Sequence, residues 1–177
     1  MTTKPHGGEP TPPSPAETTI VHMGEWKEGQ GDTILEAHLG PCIGVAIYEP
    51  GSKRGFLVHD PSPQESASNY QNLEDHLRLV FRDQPEAFER MQAWLSGGSP
   101  ILATAWAAGS EGLLEEYSQP MADAMEENKA FVVEGMEIIG IPPEAVHTSW
   151  TPDDQLKAVL SLDCATGNCT VSFSREV

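Results

Sequence analysis

The chain has 177 residues, enough for one domain with its own core. Its formal net charge of −17 argues against a basic surface that would grip nucleic acid and points instead to a solvated acidic surface or a basic partner. No apolar run is long enough to span a bilayer, the first residues lack the apolar core of a signal peptide, and the three cysteines, an odd count, exclude a complete disulfide framework and favour a reduced, cytoplasmic setting.

Residues 1–17 are rich in Pro, Thr, Gly and Glu and read as a disordered tail without a motif; residues 18–177 read as a single domain. The first predicted strand lies within Thr18–Trp26, centred on Thr19-Ile20-Val21-His22-Met23. Glu28-Gly29-Gln30-Gly31-Asp32 reads as a loop. Thr33 to His38 alternates polar and apolar residues, as a half-buried strand does, and leads into a Gly40-Pro41-Cys42 turn.

Cys42 opens an apolar run, Ile43 to Tyr48. The turn Pro50-Gly51-Ser52-Lys53 then reverses the chain, and a second apolar run, Gly55 to His59, ends on a histidine. Closing the two runs as a hairpin brings the start of one to the end of the other, so Cys42 meets His59. A thiol beside an imidazole is the arrangement of a nucleophile with its base. A buried cysteine acting as a small apolar side chain is the ordinary alternative.

Asp60-Pro61-Ser62-Pro63 breaks the sheet. A helix follows over 67–82, with Tyr70, Leu73, Leu77, Val80 and Phe81 on one stripe. Asp83-Gln84-Pro85-Glu86 resembles a capping box and predicts a second helix carrying Phe88, Met91, Trp94 and Leu95, stopped by Gly97-Gly98. Pro100 to Ala107 reads as a short buried strand and Gly109 to Gly112 as a loop. A long helix is predicted from about Ser118 to Ile139, with Met121, Met125, Val132 and Met136 on its inner face as core. Ala145 to Trp150 is a strand, and 155–162 with 169–175 form a last hairpin, across which Cys164 and Cys169 can face each other. A zinc site there lacks two further ligands, so no metal is expected. The element order predicts an α/β or α+β fold: mixed β-sheet packed with about three helices in layers.

Leu39-Gly40-Pro41-Cys42, followed by an apolar strand and Tyr48-Glu49-Pro50, then Gly55, His59 and Pro61, resembles the CheD family of chemotaxis protein glutamine deamidases, in which a Cys is followed 17 residues later by a His. The resemblance follows the element order through most of 18–175 and is concentrated in 39–61. A similar Cys-His arrangement occurs in bacterial toxins that deamidate glutamine. Two positions depart from the family pattern: Pro41 stands for a Ser, and Glu36 stands for the Thr six residues before the Cys. The resemblance implies a layered CheD-like fold and a cytoplasmic cysteine hydrolase that converts a protein glutamine to glutamate and ammonia through a thioester, without cofactor or metal. Its partners would be a protein bearing an exposed glutamine and a regulatory protein, with no nucleic acid and no membrane insertion. Cys42 is then the nucleophile and His59 the base, and the group orienting His59 is Glu36, His38 or a backbone carbonyl. The alternatives are a catalytically silent binding module on the same fold, or another cysteine amidohydrolase or peptidase.

Overall fold

The structure, a computed structural model, describes residues 16–100 and 114–175. Most of the expected tail, the strand expected over Pro100–Ala107 and the loop at Gly109–Gly112 fall outside the described residues, Pro100 excepted.

Among the described residues, nine strands form two sheets. Strands β1 (Glu17–Ile20), β3 (Thr33–Leu39), β8 (Lys157–Asp163) and β9 (Cys169–Ser174) make one sheet, in the order β1-β3-β8-β9. Strands β2 (Glu25–Gln30), β4 (Ile43–Glu49), β5 (Arg54–Asp60), β6 (Gln92–Gly97) and β7 (Val146–Trp150) make the other, in the order β2-β5-β4-β6-β7. Both sheets are mixed: β1–β3 and β6–β7 pair parallel and the remaining ladders are antiparallel. The helices are α1 (Asn69–Val80), α2 (Glu86–Arg90) and α3 (Leu114–Ile139). The result is the α+β layered fold expected.

Strand alternation explains the layering. Ala46, Tyr48 and Leu57 face Leu35, Ala37, Leu39, Leu160 and Leu162 of the four-stranded sheet and form one core. Ile43, Val45, Ile47, Phe56 and Val58, on the opposite face, pack against Tyr70, Leu73 and Leu77 of α1 and Val132 and Met136 of α3. The five-stranded sheet is thus the middle layer. Central β4 is covered on both faces, and all seven of its residues are buried, which is why its sequence is a continuous apolar run.

Two expectations are corrected. The segment from Gln92 to Gly97 is strand β6, not the second half of a helix; only Glu86–Arg90 is helical. Phe88, Met91 and Leu95 have helical spacing, but Ala93 and Leu95 face the helices while Trp94 packs on the other core, and ladders to β4 and β7 supply the pairing that local period does not encode. Likewise Glu28–Gln30 is the end of β2, not loop. Its glycine signals close approach rather than a turn: Gly29 pairs with Gly55, and a Cβ on Gly55 would lie 2.5 Å from the Cys164 Sγ. Two boundaries also shift: β1 begins at Glu17, inside the segment read as tail, and α3 begins at Leu114. At the last hairpin, Cys169 pairs with Leu162 rather than opposite Cys164, and both cysteines are free thiols.

Leu57 has no exposed surface in the inter-sheet core. Leu57→Ala should therefore lower unfolding free energy by about 2–5 kcal/mol, the cost of lost transfer energy plus a cavity, measured by urea denaturation.

Candidate active site

Cys42 sits in the bend between β3 and β4, one residue before β4 begins. Neighbouring backbone holds the bend: the Gly98 N–H donates to the Cys42 carbonyl at 2.9 Å and the Ser99 N–H to the Gly40 carbonyl at 3.0 Å. Gly97, with φ +96, runs so close beneath that an added Cβ would strike the Cys42 carbonyl. The end of β6 therefore dictates where the thiol stands.

His59 lies near the end of β5, opposite Gly44 of β4, and Asp60 lies opposite Ile43. The hairpin register thus brings Cys42 and His59 to the same end of the sheet, with Cys42 two residues from the cross-strand partner of His59. Both are buried, 3 % and 6 % exposed. His59 Nδ1 lies 3.2 Å from the Val21 carbonyl. A carbonyl only accepts, so Nδ1 carries the proton and Nε2 keeps its lone pair.

Burial pushes the Cys42 thiol up to about 11, and the Asp60 carboxylate adds to the rise. Burial lowers the His59 pKa, against the Val21 hydrogen bond and the Asp60 charge, which both favour the imidazolium. The resting pair is a neutral thiol and a neutral imidazole. Asp60 is itself buried and held on two sides, its Oδ1 accepting from the Ser62 N–H at 2.9 Å and its Oδ2 from the Tyr70 N–H, in the first turn of α1, at 2.8 Å.

Glu36 alternates with buried Leu35 and Ala37 and stands with His38 on the outer face of β3. Its Oε1 lies 2.7 Å from His38 Nε2. The structure thus joins Glu36 to His38 and gives the Nδ1 of His59 to a backbone carbonyl.

A cavity of about 280 Å³ opens beside the thiol, lined by Pro41, Cys42, Pro61, Ser62 and, from α3, Met121, Ala124, Met125 and Asn128. The helical residues share one face, at spacings of three and four. Sequence reading placed Met121 and Met125 in the core. Met125 is buried, but Met121 is 37 % exposed and forms cavity wall. Asp60, the Val21 carbonyl and Asn128 were not singled out beforehand. Asp60 carried a signal, since an Asp-Pro-Ser-Pro stretch ahead of a helix is apt for capping, whereas a backbone carbonyl carries none. Among the described residues no group of three or more metal-ligating side chains converges, and no helix is long and apolar enough to cross a membrane.

No protein-family model matches the chain. It is similar to the probable chemoreceptor glutamine deamidase CheD 1 of Chromobacterium violaceum, 28 % identical over 107 residues, which cover 56 % of this chain and 55 % of that protein. It is also similar to the probable chemoreceptor glutamine deamidase CheD of Archaeoglobus fulgidus, 27 % identical over 88 residues, covering 46 % of this chain and 56 % of that protein. The chain spans about half the length of the curated relatives it matches. Both bear out the CheD-like resemblance read from the sequence. Among solved structures, YfiH of Bacillus licheniformis is 9 % identical with a TM-score of 0.42, covering 71 % of this chain and 50 % of that one. YlmD of Geobacillus stearothermophilus is 8 % identical with a TM-score of 0.40, covering 76 % and 59 %.

Two pH effects follow. The Cys42 pKa is raised, so alkylation of Cys42 should climb through alkaline pH toward about 11 with no plateau near neutrality; peptide mapping after timed labelling checks this. The folded-state pKa of His59 is depressed below its ordinary value of 6.5, so the unfolded chain binds a proton that the folded chain resists. The stability His59 contributes is therefore present above that ordinary value and lost as pH falls through the folded value. His59→Gln should flatten this acid-side slope in denaturation midpoints collected across mildly acidic pH.

Proposed function

We propose that the chain is a protein-glutamine deamidase working through a Cys42–His59 dyad. The observation that carries the reading is the β4–β5 register, which sets a cysteine and a base-ready histidine at one end of the middle sheet, beside a cavity. The similarity to probable chemoreceptor glutamine deamidases supports the reaction class and a protein substrate.

The mechanism uses the neutral pair. As the glutamine side-chain carbonyl carbon approaches Sγ, His59 Nε2 takes the thiol proton and the C–S bond forms. The tetrahedral adduct collapses, the C–N bond breaks, and His59 returns the proton to the departing nitrogen, which leaves as ammonia. Water, deprotonated by the same Nε2, attacks the thioester carbon. The C–S bond breaks, the thiol regains its proton, and a glutamate side chain is released. The Val21 carbonyl fixes the imidazole tautomer throughout. Asp60 favours the proton-bearing form of both groups, which steadies the imidazolium once it forms. Glu36 lies against His38, and with the Nδ1 of His59 facing the Val21 carbonyl it is not the group that orients the base.

A second reading is a silent CheD-like binding module, favoured by the depth of Cys42 and its raised pKa. Ammonia release from a glutamine-bearing chemoreceptor fragment separates the two. Wild-type chain should release ammonia and convert a mapped glutamine to glutamate, and Cys42→Ala should abolish both. His59→Ala should slow the reaction about 10²–10⁴-fold, as loss of a general base does. Glu36→Ala should remain within several-fold of wild type. A wild-type chain that binds the fragment yet releases no ammonia is the silent module.

A further inference from the structure

Strand β7 forms one edge of the middle sheet. It pairs parallel with β6, and just beyond it the Thr151 N–H donates to the Gly97 carbonyl at 2.9 Å. In a parallel ladder successive residues turn their N–H and C=O to opposite sides of the strand. The backbone groups of His147, Ser149 and Thr151 therefore go to β6, and those of Thr148 and Trp150 point outward. His147, Thr148 and Ser149 are all exposed, so this edge can be reached from solvent. Both of its flanks are shaped for one more strand. On the helical side a groove of about 400 Å³ runs between Trp150 and α3, whose Ala130, Val133, Glu134 and Glu137 share one face at helical spacing. On the inter-sheet side β8 lies over β4 and β6, which puts its neighbour β9 on the β7 side of the stack. Val171 and Phe173 of β9 point inward, as the cross-strand partners of buried Leu160 and Ala158. Phe173 is nonetheless 38 % exposed. Trp94, its ring stacked on His147 at 5.6 Å, is only part-buried on the same side.

We propose that the outer edge of β7 is a docking site for an extended segment of a partner protein whose side chains alternate between cationic and apolar. The helical groove sets the chemistry of one face. Glu126, Glu134 and Glu137 line it together with one ammonium, Lys129, which already pairs with Glu126 at 2.7 Å and sits 5.7 Å over the Trp150 ring. Lys or Arg at every second position of the incoming strand meets Glu134 and Glu137. Trp94, Val171 and Phe173 set the chemistry of the other face, which is apolar. Backbone bonds to Thr148 and Trp150 give the affinity common to strand addition, and the alternation gives selectivity. A second copy of the chain does not match this site. Its own β7 brings His, Thr and Ser but no Lys or Arg, and its formal net charge of −17 opposes the same charge here. The inference uses neither Cys42 nor His59 and stands apart from the deamidase reading.

The probe is the synthetic peptide Lys-Val-Lys-Val-Lys-Val-Lys, titrated into the full chain at near-physiological salt and followed by calorimetry and amide NMR. It should shift the Thr148 and Trp150 amide signals and slow their hydrogen exchange. Two analogues keep its charge and lose backbone donors, one N-methylated at every lysine and one at every valine. An antiparallel guest bonds to Thr148 through its lysine amides and a parallel guest through its valine amides, so one analogue should bind about tenfold or more weakly and its identity reports the direction. Glu134→Lys combined with Glu137→Lys should weaken the parent peptide about tenfold or more. Asp83→Lys, an exposed acid between α1 and α2, should change it by less than about twofold. Equal binding of the parent and both analogues overturns the proposal, since the peptide is then held by charge alone. Equal losses from Asp83→Lys and from the groove pair overturn it too, as does a Glu-Val peptide of the same length that binds as tightly. Thr148 and Trp150 amides already protected in the free chain at low concentration mean that the chain covers its own edge. Protection that grows with chain concentration means that a second copy does. Either result overturns the proposal, and so does a millimolar peptide that moves neither amide.

Discussion

The burial of β4 on both faces is the constraint on which the site depends. Its odd residues face the helices and its even residues face the second sheet. A slip of one residue against β5 would exchange Ile43, Val45 and Ile47 for Gly44, Ala46 and Tyr48 on both cores at once. The four-stranded sheet also comes so near that a Cβ on Gly44 would lie 2.5 Å from a Leu39 methyl. The register is therefore pinned by packing on two sides, and with it the pairs Gly44–His59 and Ile43–Asp60.

Neighbouring residues of β5 divide the electrostatic work because they point to opposite faces. His59 turns toward the sheet-facing side, where the Val21 carbonyl meets its Nδ1. Asp60 turns toward the helical side, where it accepts from the start of α1. One element thus places the imidazole of His59 in one layer and the Asp60 carboxylate in the next. Burial keeps the thiol protonated, with Asp60 adding to the effect, and burial also keeps the imidazole neutral, there against the Val21 hydrogen bond and the Asp60 charge. A neutral pair avoids the desolvation penalty of a buried ion pair.

Much of this was legible in the chain alone, and the reasons are local. The β4–β5 hairpin, α1, the long helix and the last hairpin each announce themselves by a run, a stripe or a turn, and hairpin closure alone puts Cys42 and His59 at one end of the sheet. What was not legible depends on tertiary partners. Strand β6 carries apolar residues at helical spacing, and only its ladders to β4 and β7 make it a strand. The Gly29 approach to Cys164 reads as loop composition until the two sheets are stacked. Strand parity correctly sets Glu36 and His38 on one face of β3, but parity within a strand does not say whether that face meets the middle sheet or solvent. The answer lies in β8, whose Leu160 and Leu162 claim the other face.

The same limit explains why the wall of the cavity was hidden. Met121 and Met125 belong to the apolar stripe of α3, and a stripe cannot tell a side chain that meets a core from one that meets a gap. The difference arises where α3 passes over the end of β4. There the sheet presents the bend at Pro41 and Cys42 and the break at Pro61 instead of further strand residues. The helix face continues while the surface beneath it stops. The space left over lies beside the thiol because the bend that leads into β4 carries Cys42, itself buried, in the cavity wall. A cysteine at a strand end and a cavity under a helix are thus two outcomes of one geometric fact: α3 overruns the sheet it covers.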